Sequence, residues 1–317
     1  MKKILLSSAV KTIQERDDIL ILTHQFPDGD TLGSGFALCG ALQLLGKKAR
    51  VACSDEIPKK YEYLTKGIAD QAFAPKLIMA VDVASAALLG EELSQYASRV
   101  ELSIDHHKSN TMFAQHTYVD VKAAATAEII YEILVMLGVN FTLDIATCLY
   151  TALATDTGCF KYSNVTPKTL RIAALMMSLG VPCAQINRTM FDTKSRARME
   201  IERELIERLE YHFDGRCALI VITEDMLTRA GADEGDIEGL SPLPRQIEGV
   251  TVGLTFRERS DGSWKVSVRT GSEVDGAALC AKFGGGGHRQ AAGCTLSGDL
   301  DTVKARILAP VAELFGV

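Results

Sequence analysis

Four short runs of apolar, largely β-branched residues recur early in the chain: ILILTH (19–24), ARVACS (49–54), KLIMAVD (76–82) and RVELSID (99–105). Helical-looking segments separate them, and this alternation predicts a parallel sheet covered by helices, because parallel strands need long crossover connections. Runs that stay apolar throughout are strands buried on both faces. Three of the four nevertheless end in His or Asp. Charge at the carboxyl end of a buried strand marks a functional crevice where the sheet opens. Between the runs, TLGSGFALCGALQLLG has helical spacing and stops at Gly46. Further helices are predicted at 124–137, 144–154 and 167–179, the last opening on Pro167. The start, MKKILLSSAVKTIQERDD, reads as a first amphipathic helix, since charge returns at Lys11 before any cleavage-like segment.

A chain of 317 residues is long enough for two cores. Within 194–212, the pairs Arg196/Glu200, Arg198/Glu202 and Glu204/Arg208 stand four apart, with one apolar stripe through Ile201, Leu205 and Leu209. That pattern predicts a solvated connector helix. Beyond it, CALIVIT (217–223), VTVGLTFRE (250–258) and WKVSVRT (264–270) read as strands, the latter two joined as a hairpin. The expected architecture is α/β. A parallel-sheet domain with helices on both faces (1–190) is followed by a helical linker (191–214) and a smaller α+β domain (215–317). No uncharged run approaches the ~18 residues of a membrane span. Eight cysteines without a CxxC pair suggest free thiols in a reducing cytoplasm. A net charge of -6 argues against coating long duplex DNA, while leaving room for a locally cationic site for small anions.

The acids and histidines gather at element ends: His24, Asp28 and Asp30; Asp82; Asp105, His106 and His107; Asp156. Brought to one edge, these carboxylates could not all stay ionised without cations between them. The turn made by Pro27 and Gly29 lets Asp28 and Asp30 serve different ions, and the solitary Asp82 is the candidate for a two-oxygen bridge. Adjacent His106 and His107 should diverge, one ligating and one facing substrate, with Asp105 expected to support the ligating ring. Taken singly, DGD is a polar turn, Asp82 a helix cap and Asp156 part of a tight turn; their joint placement favours metal. Carboxylates without nearby cysteines point to a hard ion, and imidazole tips the choice to Mn2+ over Mg2+. Two such ions, balanced by Asp28, Asp30, Asp82 and Asp156, prepare water for an in-line phosphoryl displacement. His116 and His212 lack such company and read as ordinary residues.

In KFGGGGHRQAAG (282–293), glycine main chain can approach an anion closely, with His288 and Arg289 adding donors; the plainer reading is a flexible linker. Positions 245–290 carry seven Lys and Arg (245, 257, 259, 265, 269, 282, 289) against five Asp and Glu (248, 258, 261, 273, 275). Arg269 ends WKVSVR and is the preferred phosphate ligand, because a guanidinium forks onto two oxygens; a surface salt bridge is its bland alternative.

THQFPDGDTLGS, VDVAS, SIDHHKSN and ATDTGCFKYSN stand in the order of four motifs of the DHH phosphoesterases, which the sequence resembles, and RTGSEVDGAALCAKFGGGGHRQAAG is similar to the DHH-associated C-terminal domain. Size and layout are similar to the bacterial nanoRNase and pAp phosphatase group. That group degrades very short oligoribonucleotides from an end and removes the 3'-phosphate of pAp (3'-phosphoadenosine 5'-phosphate). The resemblance implies one ion on His24, Asp28 and Asp82, a second on Asp30, Asp82, His106 and Asp156, and His107 on the scissile phosphate. Arg269 and the glycine loop, Gly285, Gly286, Gly287 and His288, would grip the far end of the substrate. Two Mn2+, with Mg2+ or Co2+ as substitutes, are implied, along with short single-stranded RNA, linear dinucleotides and pAp as partners. A homodimer is compatible with it. Gln25 and Phe26 fall at a variable spot, and Cys159 stands where relatives often carry a basic or small polar residue. A cyclic di-AMP/pApA phosphodiesterase is the nearest alternative function. Inorganic pyrophosphatases are similar in the metal domain but lack the GGGGH loop, and a binding module that had lost activity should lack a ligand.

Overall fold

The structure is a computed structural model that describes residues 2–237 and 239–316. Two compact units divide the chain, 1–193 and 194–317. In chain order the first holds β1 (Lys2–Lys3), α1 (Leu6–Glu15), β2 (Ile19–Leu22), α2 (Gly29–Leu44), β3 (Ala49–Ala52), β4 (Leu77–Val81), α3 (Gly90–Leu93), β5 (Leu102–Asp105), β6 (His116–Val119), α4 (Thr126–Met136), α5 (Leu143–Asp156), α6 (Pro167–Ser178) and α7 (Cys183–Asn187). Its strands form a six-stranded sheet in the order β1-β6-β5-β4-β2-β3, with every pairing parallel.

Alternation along β2 sorts the core: Ile19 and Ile21 enter the large cluster with α1, α2, α4 and α5, while Leu20 and Leu22 turn to the opposite face. There they meet Leu89, Leu93 and Val100 from short helical turns. Burial on both faces accounts for the unbroken apolar runs ILIL and LIMAV. Two strands escaped the sequence. β6 is half-exposed and β1 is two exposed lysines, so neither has the apolar signature; main-chain pairing alone makes them strands.

Packing of α2 on α5 sets the geometry of the site. A side chain at Gly33 would put its Cβ 2.5 Å from the Cys148 carbonyl and 2.8 Å from Ala152, and one at Gly29 would meet Thr155 at 2.4 Å. Only glycine permits this approach. It runs the helices antiparallel, so the start of α2 lies beside the end of α5.

The second unit holds α8 (Arg196–Glu207), β7 (Glu210–His212), β8 (Cys217–Ile222), α9 (Glu224–Ala230), α10 (Glu234–Ile237), β9 (Val252–Glu258), β10 (Ser263–Thr270), α11 (Gly276–Ala281), β11 (Gly286–His288), β12 (Ala291–Ser297) and α12 (Leu300–Phe315). Its mixed sheet runs β11-β12-β10-β9-β8-β7. The helix read as a solvated connector packs its apolar stripe, Ile201 and Leu205, against Ile220 and Ile222 of this unit. It also stops at Glu207, because Glu210–His212 leave the helix to pair antiparallel with β8.

No single helix among the described residues is long and apolar enough to cross a membrane. Gly33→Val should destabilise the first unit by about 1–3 kcal/mol, lowering its thermal midpoint by roughly 2–10 °C in circular dichroism. An unchanged midpoint would show that α2 and α5 are not held in close contact.

Candidate metal centre

Strands β2, β4 and β5 are parallel neighbours with β4 in the middle, so their carboxyl ends share one edge. His24 follows β2, Asp82 follows β4, and His106 follows Asp105 at the end of β5. The α2–α5 contact brings in the rest. Asp28 caps α2, its Oδ1 accepting the N–H groups of Asp30 (3.0 Å) and Thr31 (3.1 Å). Asp30 lies in the first turn of α2, and Asp156 is the last residue of α5.

Asp82 is buried, with left-handed backbone at φ 61, a conformation that Asp tolerates better than most residues. Its oxygens face two imidazoles: Oδ2 is 3.9 Å from His24 Nε2, and Oδ1 is 3.8 Å from His106 Nε2. His24, Asp28 and Asp82 offer atoms within 4.8 Å of one another, as do Asp30, His106 and Asp156, and as do Asp82, His106 and His107.

Tautomers can be assigned from main-chain carbonyls, which only accept hydrogen bonds. His24 Nδ1 lies 2.7 Å from Gln25 O and His106 Nδ1 3.1 Å from Ala123 O, so each ring, when neutral, carries its proton on Nδ1 and leaves a lone pair on Nε2. His106 Nε2 is buried and, among the described residues, has no hydrogen-bond partner. It faces Asp156 Oδ2 at 3.5 Å and Asp30 Oδ2 at 3.9 Å. A lone pair aimed among carboxylate oxygens at these separations is satisfied by a cation between them, so the donor set fits divalent metal.

The Asp105 expectation needs correction. Its Oδ1 accepts from His107 Nδ1 (2.8 Å) and from the backbone N–H of His106 and His107, while Oδ2 accepts from Asn110 Nδ2 at 2.5 Å. Asp105 therefore orients His107, not the ring of His106, which Ala123 O holds. Thr126 was missed altogether. Its N–H donates to Asp30 Oδ2 at 2.6 Å and its Oγ1 to Asp82 Oδ1 at 2.7 Å, with the N–H of Ala127 and Ser34 Oγ completing the shell around Asp30. The start of α4 is thus an anion cradle. The only trace in sequence was a threonine opening the apolar run AEIIYEIL.

Electrostatics show the crowding. Burial, then the charges of Asp30 and Asp28, hold the Asp82 carboxyl well above its ordinary range. Burial and Asp156 push Asp30 up to about 7. Asp156 is raised by burial and by Asp28. Asp28 goes the other way, since the His24 hydrogen bond and two backbone N–H groups outweigh its burial. Burial would also raise Asp105, but bonds from His107 and Asn110 lower it, and the same Asp105 bond raises His107.

In the second unit, Arg269 at the end of β10 donates to Ser241 Oγ (3.0 Å) and Val268 O (3.1 Å). Arg269 pairs with Ala291, which pairs with His288, so the three share a row on one face of the sheet. Val266, Val268, Ala292 and Cys294 turn to the core on the other face. The glycine run is an edge strand, not an open loop. A Cβ at Gly285 would lie 2.3 Å from Gly293 O, and one at Gly287 2.6 Å from Ala291 O, so packing itself requires those glycines. A Cβ at Gly286 would meet nothing within 4 Å.

Residues 18–153 match the DHH family, N-terminal domain, and 218–315 match the DHHA1 domain. The bifunctional oligoribonuclease and PAP phosphatase of Thermus thermophilus is 35% identical over 303 residues, covering 93% of this chain and 89% of that protein. This chain belongs to the DHH family. As a member, it is a hydrolase of phosphoester bonds. A cyclic-di-AMP phosphodiesterase of Geobacillus thermodenitrificans is 23% identical over 90% of this chain but only 45% of that protein. The fold is shared with an exopolyphosphatase-related protein from Bacteroides fragilis, with a TM-score of 0.86 and 24% identity over 98% of this chain and 97% of that one.

The raised carboxyls make a signed prediction. Asp30 holds its proton up to about 7 in the folded state, against 3.8 ordinarily, so the metal-free fold binds more protons than the unfolded chain in that window and loses stability as pH rises through it. A cation displaces those protons. Adding Mn2+ to EDTA-stripped protein should raise the thermal midpoint, and by more at pH 8 than at pH 5.5. A gain that shrinks with rising pH would contradict the arrangement.

Proposed function

We propose that this DHH-family chain is a manganese-dependent phosphoesterase that releases mononucleotides from short oligoribonucleotides and removes the 3'-phosphate of pAp. The observation that carries this reading is Asp82, whose two oxygens face the Nε2 atoms of His24 and His106. His24, Asp28 and Asp82 would hold one ion; Asp30, Asp82, His106 and Asp156 the other. When bound, such a pair supplies Lewis-acid activation of water and neutralises phosphate charge. Mixed carboxylate and imidazole donors favour manganese.

The remaining steps belong to the chain's own side chains. His107 commits Nδ1 to Asp105, which leaves Nε2 for a phosphoryl oxygen, and the Asp105 hydrogen bond raises the ring's pKa, favouring the protonated form that donates there. Asp105 acts through His107 as a positioning residue. In the second unit, Arg269 and His288 on one sheet face, beside the open surface at Gly286, are assigned to the rest of the nucleotide, with Gly285 and Gly287 shaping the strand that carries His288. The domain limits follow as a catalytic part (1–190), a linker (191–214) and a substrate-binding part (215–317), acting in the cytoplasm. Similarity to the Geobacillus protein supports a cyclic di-AMP reading less well, and relative rates on cyclic di-AMP and linear pApA separate the two.

The test is mononucleotide release from a diribonucleotide, and phosphate release from pAp, with Mn2+ present. No turnover of any nucleotide ester would refute the proposal. Asp82→Asn keeps the shape and the left-handed backbone yet removes the charge, so activity should fall to background with circular dichroism unchanged; retained activity would misplace the bridge. Arg269→Ala should raise KM roughly tenfold or more while bound metal, measured by elemental analysis, is unchanged. Loss of metal instead would overturn the assignment of that residue.

A further inference from the structure

We propose that Phe26 is the platform on which the nucleobase of the substrate stacks, an assignment that rests on the nucleotide-ester reading above. Phe26 lies midway along the loop between His24 and Asp28, two of the candidate ligands. Its side chain is 80% exposed, more than any other large apolar side chain among the described residues.

The exposure does not come from a loose loop. Gln25 N–H donates to Leu88 O at 2.7 Å, Gln25 O accepts from His24 Nδ1 at 2.7 Å, and Phe26 N–H donates to Asp55 Oδ2 at 2.6 Å. Pro27 then fixes the exit from the turn. Between these anchors Phe26 is held at φ 52, left-handed backbone in which a bulky aromatic is a genuine outlier and Asn or Gly would sit without strain. The position therefore carries two costs, backbone strain and an apolar ring in water, and among the described residues no other ring stacks on it. Tyr162, the exposed aromatic near Asp156, makes the contrast. Its ring lies against Gly158, where a Cβ would come within 2.3 Å, so it has an internal partner.

Strain of this kind persists at functional sites where the residue serves a ligand. A rigid, solvent-facing aromatic face within two residues of the reacting centre binds a base by stacking, which every base permits because each has a π-face. The same ring would then serve oligoribonucleotides of any sequence and pAp alike, and would contribute to ground-state binding without touching the phosphate.

Steady-state kinetics of the Mn2+-loaded full chain on pAp, and on its base-free analogue with hydrogen in place of adenine, test the assignment. Phe26→Asn should raise KM for pAp about tenfold with kcat nearly unchanged, and leave the base-free analogue unaffected. Phe26→Trp should match or improve on the parent. Because Asn relieves the strained turn, its thermal midpoint should stay level or rise, which a packing role for Phe26 would not allow. An unchanged KM for pAp, or an equal rise on the base-free analogue, would overturn the platform while leaving the phosphoesterase reading intact. A parent protein inert on pAp and on dinucleotides would overturn both.

Discussion

Repulsion among four carboxylates is the constraint around which the first unit is built. Asp28, Asp30, Asp82 and Asp156 meet where water is largely excluded, and burial alone would keep protons on most of them. The fold opposes this with local donors. The N–H groups at the start of α2 quiet Asp28, and those at the start of α4 quiet Asp30. Of the two most deeply buried of these four acids, Asp30 and Asp82, Asp82 receives among the described residues only a hydroxyl, from Thr126, so it is the less compensated of the two. Everything that must be close for this to happen depends on the glycine seam between α2 and α5 and on β4 lying between β2 and β5.

Much of this is legible in the sequence. Buried parallel strands announce themselves by apolar runs, and the acids and histidines at their ends could be assigned to one crevice because all such ends point the same way. What stayed hidden depends on contacts between distant segments. Which histidine Asp105 serves is decided by Ala123, seventeen residues after His106, whose carbonyl claims the His106 ring. The role of Thr126 needs the α4 terminus to approach Asp30 across 96 positions of sequence. β1 and the half-exposed β6 have no apolar run to betray them, and pairing with a neighbour's main chain makes them strands.

In the second unit the glycine run illustrates two demands on one motif. Gly285 and Gly287 are required because an adjacent strand leaves no room for a Cβ, a steric reason invisible in composition. Gly286 has space, and its row of the sheet alternates with that of Arg269 and His288 on the same face. Packing thus falls on Gly285 and Gly287, and the two-residue period of a strand leaves Gly286 and His288 on the open face. The helix from Arg196 likewise reads as solvated by charge, yet its apolar stripe is spent on the sheet that follows it.

The candidate ligands are drawn from four separate stretches, beginning at His24 and ending at Asp156 at the close of α5. No one of these stretches contains a complete set. During synthesis, therefore, the pair of candidate ion sites stays incomplete until Asp156 has emerged from the ribosome, although His24, Asp28 and Asp82 are made earlier. A product ending earlier would carry only one half of the pair, so the paired site waits on completion of the sheet and its covering helices.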